Sequence, residues 1–119
     1  MIYGYLRKSS EEGSTSSFDT QKFKITSYCN IHNLKVDEWF EDVCSGGLLL
    51  KSREQGMLLS TKLARGDSII CSNLDRYSRS HYGLVNDVEK YKRLKIKLIF
   101  TDLGDVISSD SLGSVFYQI

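Results

Sequence analysis

The feature that most constrains this chain is a regular alternation of short apolar runs with longer stretches of helical spacing, because strands and helices in strict alternation have few ways to bury their faces. Ile2 to Leu6 is short, aromatic and apolar, as a buried strand requires, and it runs directly into a polar stretch from Arg7 to Ser17 that reads as a loop. From Phe18 the positions Phe18, Ile25, Tyr28, Cys29 and His32 follow one helix face; Ser17 is available as N-cap, and Asp19 stands in the first turn, where a carboxylate complements the helix dipole. Gln21 lies on the same stripe, so this polar side chain is expected to point inward. A second strand is predicted over Val36 to Glu41, followed by a loop with Asp42, Ser45, Gly46 and Gly47. The next helix presents Met57, Leu59 and Leu63 and closes with Gly66 where a left-handed cap would stand. Asp67 then leads into the strand Ser68 to Cys71 and a loop holding Asp75-Arg76-Tyr77-Ser78-Arg79. Leu84, Val88, Tyr91 and Leu94 mark a further helix, and Ile96 to Phe100 is an apolar run suited to a strand buried on both faces.

This order predicts an α/β fold, a three-layer sandwich around a mainly parallel central sheet, whose functional loops lie at the carboxyl ends of the strands. Ser9, Asp42, Asp75 and Asp102 all follow predicted strands. With 119 residues, 40% of them hydrophobic, the chain has the material for one core of ordinary size. A net charge of +1 excludes strong non-specific attraction to nucleic acid by overall charge, so any basic surface has to be local. No early apolar stretch is long enough for a signal peptide or a membrane span, which gives a cytoplasmic reading with no membrane partner. Cys29, Cys44 and Cys71 form no Cys-x-x-Cys pair and read as reduced thiols, mostly in the core. The two histidines, His32 and His81, lack metal-ligand spacing, so they are not expected to form a metal site.

Two blocks carry the chemistry: Tyr5-x-Arg7-x-Ser9 at the end of the first strand, and Asp75-Arg76-Tyr77-Ser78-Arg79 after the third. Between them lie Gln21, Ser45-Gly46 behind Asp42, Arg53 opening the second helix, and the Gly66-Asp67 turn. Together, in this order, they resemble the catalytic domain of the serine recombinases of the resolvase and invertase type, over nearly the whole chain. The resemblance extends to Leu112-Gly113-Ser114, where that family begins its long dimerisation helix. It implies a resolvase-like catalytic domain over residues 1–111, the start of a truncated dimerisation helix over 112–119, and a DNA-binding domain absent from this chain.

The function the resemblance implies is site-specific recombination of double-stranded DNA: cleavage, exchange and rejoining through a transient 5′-phosphoserine, without a cofactor. The full-length protein would be a homodimer that assembles to a tetramer. Ser9 is the implied nucleophile, and the site would comprise Ser9, Arg7, Arg53, Arg76, Arg79, Asp75, Gln21, Ser45, Asp67 and Tyr5. The physical case is independent of the family. Attack on a phosphodiester builds negative charge on the non-bridging oxygens, and arginine meets it with a permanently charged planar fork. Asp75 beside Arg76 is a candidate for orienting that arginine or for protonating the leaving 3′-oxygen. No general base stands out, and Ser10 is a neighbouring hydroxyl that the nucleophile has to be told apart from. Gln21 reads equally as a clamp on the loop backbone, Asp67 equally as a turn carboxylate, and Tyr5 also as core packing.

Two other functions fit parts of the pattern. Asp42, Asp75 and Asp102 near strand ends suit a metal-dependent phosphohydrolase, although such a site has no need of Arg7, Arg76 and Arg79. A catalytically silent resolvase-like regulatory module would have been free to lose Ser9 or an arginine, and every expected position is filled. The stretches from Ser9 to Gln21 and from Ser45 to Arg53 are longer than in small resolvases, which leaves open the choice among resolvase, invertase, large integrase and transposase.

Overall fold

The structure, a computed structural model, describes residues 1–9 and 18–106. Its elements are β1 (Ile2–Lys8), α1 (Phe18–Ile31), β2 (Glu38–Val43), a 3-10 turn at Leu50–Ser52, α2 (Glu54–Lys62), β3 (Ser68–Cys71), α3 (Leu74–Tyr77), α4 (His81–Leu94), β4 (Lys97–Phe100) and β5 (Gly104–Val106). The strands lie in the order β2-β1-β3-β4-β5. The first four are mutually parallel, and β5 runs antiparallel along β4. The expected α/β sandwich with a mainly parallel sheet is what forms.

Alternation along β1 builds the layers. Tyr3 and Tyr5 face a large cluster with Phe40, Leu59, Ile69, Tyr77, Leu84, Val88 and Tyr91, beneath α2, α3 and α4. Leu6 faces the other way, into a smaller cluster with Ile25 and Cys29 of α1, Ile70 and Ile99. Gly4 shares that second face and stands opposite Trp39 on β2, whose ring covers it so closely that a Cβ at Gly4 would lie 2.4 Å from Trp39 Cε3. A bare backbone is what lets the indole lie flat there.

Several boundaries differ from expectation. β1 extends through Arg7 to Lys8, and β2 runs to Val43, so Arg7 and Asp42 are strand residues paired in register rather than loop residues. The Asp75 loop contains a one-turn helix, α3, and a fifth strand follows β4. α1 stops at Ile31, leaving His32 exposed and stacked on Tyr28 at 4.2 Å instead of in the core. Met57 is 51% exposed because α2 turns Gly56 and Leu59 inward, and Leu94 is 38% exposed at the end of α4. Gly66 has the positive φ foreseen for it, 89°, but within the Ala64 to Asp67 turn beyond the helix cap at Leu63. Cys29, Cys44 and Cys71 are free thiols, with only Cys44 partly exposed. No helix among the described residues is long and apolar enough to cross a membrane. Ser10, Ser17 and residues 112–119 lie outside the described residues.

Candidate active site

The site forms where β1 outruns β3. Pairing with β3 ends at Gly4, whereas pairing with β2 continues to Lys8. Beyond that point side chains take up the backbone of Arg7. Gln21 accepts from its amide at 3.2 Å and donates to its carbonyl at 2.9 Å, and Arg76 Nη1 donates to the same carbonyl at 3.0 Å. Gln21 thus occupies the place of a missing strand neighbour, which explains a polar residue on the buried stripe of α1.

Arg7 points to the opposite face of the sheet and is wholly enclosed. Its Nη1 donates to the Cys44 carbonyl at 2.8 Å, and its Nη2 donates to the Asp75 carbonyl and to Asp75 Oδ2, both at 3.2 Å. Its Nε is buried with no hydrogen-bond partner among the described residues. Burial lowers the pKa of this guanidinium; Asp75 opposes the shift, and the charges of Arg53, Arg79 and Arg76 add to it.

A second set of bonds sets the walls. Asp42 accepts from the Tyr5 hydroxyl at 2.7 Å and from the amides of Gln55 at 2.8 Å and Gly56 at 2.9 Å, anchoring the first turn of α2 to β2. Arg53, just before α2 and 1% exposed, donates from Nε to the Leu48 carbonyl, from Nη1 to the Tyr5 hydroxyl and the Arg76 carbonyl, and from Nη2 to the Gly46 carbonyl, at 3.0 to 3.3 Å. Expected as a phosphate-facing cation, Arg53 instead ties three segments together. Tyr5 is held as a neutral phenol: burial pushes its pKa far up, against the opposing pull of Arg53.

The third part is the turn from Asp75 to Arg79. Asn73 caps α3 by accepting from the Arg76 amide. Asp75 does not pair with the neighbouring Arg76 side chain; it meets Arg79 Nε at 2.6 Å through Oδ1 and Arg7 Nη2 at 3.2 Å through Oδ2. The reason is reach: Arg76 is drawn back to the β1 carbonyl, while the exposed Arg79 folds over its i−4 neighbour. The hydrogen bond from Arg79, followed by the charges of Arg79, Arg7 and Arg76, holds the Asp75 carboxyl below its usual range against the effect of burial. Asp75 is therefore ionised in this state, as an orienting carboxylate has to be.

Ser9, the residue directly after β1, is partly buried. Ser45 is exposed, and its hydroxyl accepts from the Gly47 amide at 3.1 Å, bracing the loop whose Gly46 carbonyl receives Arg53 and the Arg79 amide. Asp67 is the residue the structure does not bring here. It lies before β3, at the opposite end of the sheet, bonded to the Met1 amino group at 2.8 Å and to the Ala64 amide at 2.8 Å. Its role is that of the turn carboxylate. Asp42 on β2 and Asp102 in the exposed turn after β4 are separated by β1 and β3, about 14 Å at the usual strand spacing. Both Asp42 oxygens are already engaged, and among the described residues no three or more His, Cys, Asp or Glu gather as metal ligands. The carbonyls of Cys44, Gly46 and Leu48 escaped the sequence reading because backbone acceptors leave no residue-type signal.

The family described as Resolvase, N terminal domain, matches residues 2–119. The chain belongs to the resolvase family. The Transposon Tn917 resolvase of Enterococcus faecalis is 29% identical over 119 residues, and this resolvase-family chain spans 58% of the length of that curated relative. Among solved structures, the N-terminal catalytic domain of TP901-1 integrase is 26% identical with a TM-score of 0.74, over 98% of this chain and 88% of that one. A resolvase family site-specific recombinase from Streptococcus pneumoniae, 18% identical with a TM-score of 0.75 over 98% of this chain and 83% of that one, shows the same fold.

Proposed function

We propose that this chain is the catalytic domain of a site-specific recombinase that cuts and rejoins double-stranded DNA through Ser9. The observation that carries the reading is the pairing of Arg7 and Arg79 with Asp75 at the end of the strand that delivers Ser9. Two guanidinium groups converging on one carboxylate can converge equally on two oxygens of a phosphodiester. In the reaction the Ser9 hydroxyl loses its proton and its oxygen bonds to phosphorus. The bond from phosphorus to the 3′-oxygen breaks, and that oxygen takes up a proton. The 5′-phosphoserine keeps the phosphodiester energy, so attack by a 3′-hydroxyl rejoins the strands with no external energy source. Arginines at such a centre contribute on the order of a thousandfold in rate. The exposed Arg79 is assigned to the phosphate, with the enclosed Arg7 adding its charge from behind Asp75, while Arg53, Tyr5, Asp42, Gln21 and Arg76 hold the strand end and the loops around it.

In this reading residues 1–111 form the catalytic domain and 112–119 open the helix through which subunits pair, first as dimers and then as a tetramer on DNA in the cytoplasm. No cofactor takes part. The test mixes the full-length protein in EDTA with supercoiled DNA carrying the ends of its own mobile element, stops the reaction with detergent, and looks for protein bound to 5′ ends. An adduct that survives EDTA, persists in Ser10→Ala and disappears in Ser9→Ala supports the assignment. Cleavage that requires magnesium and leaves no adduct overturns it in favour of a phosphohydrolase.

A further inference from the structure

Helix α3 is a single turn of four residues, too short to hold its own shape in water, yet it carries Asp75 and Arg76 and leads into Arg79. Asn73 secures its beginning. Its end is secured by Tyr77, which is fully buried, meets Phe100 edge to face at 6.2 Å, and places its hydroxyl 2.7 Å from both Asp87 Oδ2 and the Tyr91 hydroxyl. Asp87 and Tyr91 stand four residues apart on α4 and so share one face. Tyr77 donates to the carboxylate and accepts from Tyr91, leaving its hydroxyl fully used. The only chain between α3 and α4 is Ser78 to Ser80, so this bond closes a tight ring around Arg79.

We propose that Asp87 is a positioning residue for strand cleavage, acting through the Tyr77 hydroxyl to fix the turn that carries Asp75, Arg76 and Arg79. The proposal rests on the recombinase reading given above. Two phenylalanines and a leucine in place of Tyr77, Tyr91 and Asp87 would fill the same space with no buried hydroxyl to satisfy; what the hydrogen-bonded trio adds is a defined position for Tyr77. That position reaches the site in two bonds: the Arg76 carbonyl accepts from Arg53, and the Arg76 side chain donates to the Arg7 carbonyl.

The groups acting on Asp87 are Tyr77 from α3, Tyr91 and Lys90 from α4, Lys51 from the 3-10 turn and, electrostatically, Arg53. Burial raises the Asp87 pKa, and the Tyr77 hydrogen bond and the three cations oppose the shift. An ionised Asp87 requires the Tyr77 proton, whereas a protonated one is itself a donor and releases that demand. Cleavage therefore loses rate on the acid side as Asp87 protonates.

The test follows single-turnover adduct formation by the full-length protein on supercoiled DNA, for Tyr77→Phe, Asp87→Leu and Asp87→Asn. Tyr77→Phe and Asp87→Leu are expected to slow the adduct by about tenfold to a hundredfold, the scale of a small misplacement of catalytic groups, with DNA affinity unchanged. Asp87→Asn keeps an oxygen acceptor, so it retains most of the rate and lacks the acid limb of the pH profile. An Asp87→Leu protein that has unfolded loses DNA affinity as well, and Tyr77→Phe, which removes one oxygen atom, then decides. Full rate in Tyr77→Phe, or an acid limb that persists unchanged in Asp87→Asn, overturns the proposal. No adduct from the unaltered protein overturns the recombinase reading itself, and this inference with it.

Discussion

Replacing Arg53 by Met tests whether this buried arginine serves chiefly to tie the loops around it together. Methionine fills much of the same volume but removes four hydrogen bonds, to the carbonyls of Leu48, Gly46 and Arg76 and to the Tyr5 hydroxyl. Buried acceptors left unsatisfied cost about 1 to 2 kcal/mol each, for a gross loss of roughly 6 kcal/mol. Removing the guanidinium also removes its own desolvation penalty, several kcal/mol for an enclosed ion, so the net destabilisation comes to about 3 kcal/mol. At about 4 °C per kcal/mol for a domain of this size, the thermal midpoint should fall by roughly 12 °C. Circular dichroism melts of residues 1–119 measure it directly. Arg53→Lys should fall between the two, because an ammonium on a shorter reach meets at most some of these acceptors. If Arg53→Met melts within about 2 °C of the unaltered domain, the bonds to Leu48, Gly46 and Arg76 are not what the residue is for, and the reasoning fails.

Gly4→Ala drives a methyl group into the Trp39 ring and should cost about 1 to 3 kcal/mol in urea unfolding, with most of the loss recovered in Gly4→Ala/Trp39→Val. Asp75 has a depressed pKa when folded, so its stabilising contribution is present above the unfolded-state value of about 3.9 and is lost as pH falls through the lower folded value. The stability difference between the unaltered domain and Asp75→Asn should accordingly be constant above about pH 5 and shrink below pH 4; a constant difference down to pH 2 would contradict the pairing. In native protein at pH 8, a thiol reagent followed by peptide mapping should label the partly exposed Cys44 before the buried Cys29 and Cys71; burial raises the pKa of all three, so access sets the order.

Periodicity made the layers legible. Ile25 and Cys29 on one helix, Leu84, Val88 and Tyr91 on another, and the apolar run ending at Phe100 all lie where their spacing puts them. Tyr5, Arg7, Gln21, Arg53, Asp75, Arg76 and Arg79 were legible as a group, because a parallel sheet brings its strand ends together. Their partners were not. Asp75 chose Arg7 and Arg79 over its neighbour Arg76 for reasons of reach that sequence adjacency does not encode. Asp67 was misplaced because a carboxylate before a strand and one after it look alike in sequence, although they stand at opposite ends of the sheet. The short α3 and β5 carried too few residues for a period to show, and the Tyr77–Asp87–Tyr91 trio joins a residue read as loop to an acidic helix residue and one core position, a link between elements that no spacing shows.

The end of β1 is a strip of sheet supported by backbone on one edge and by side chains on the other. Its seat is thus adjustable by single substitutions: a longer or shorter residue in place of Gln21 or Arg76 would tilt the strand tip while the register from Tyr3 to Gly4 stayed fixed. The rigid part of the molecule and the strand tip that leads to Ser9 are in this way mechanically separable, and the tip can be retuned without rebuilding the sheet.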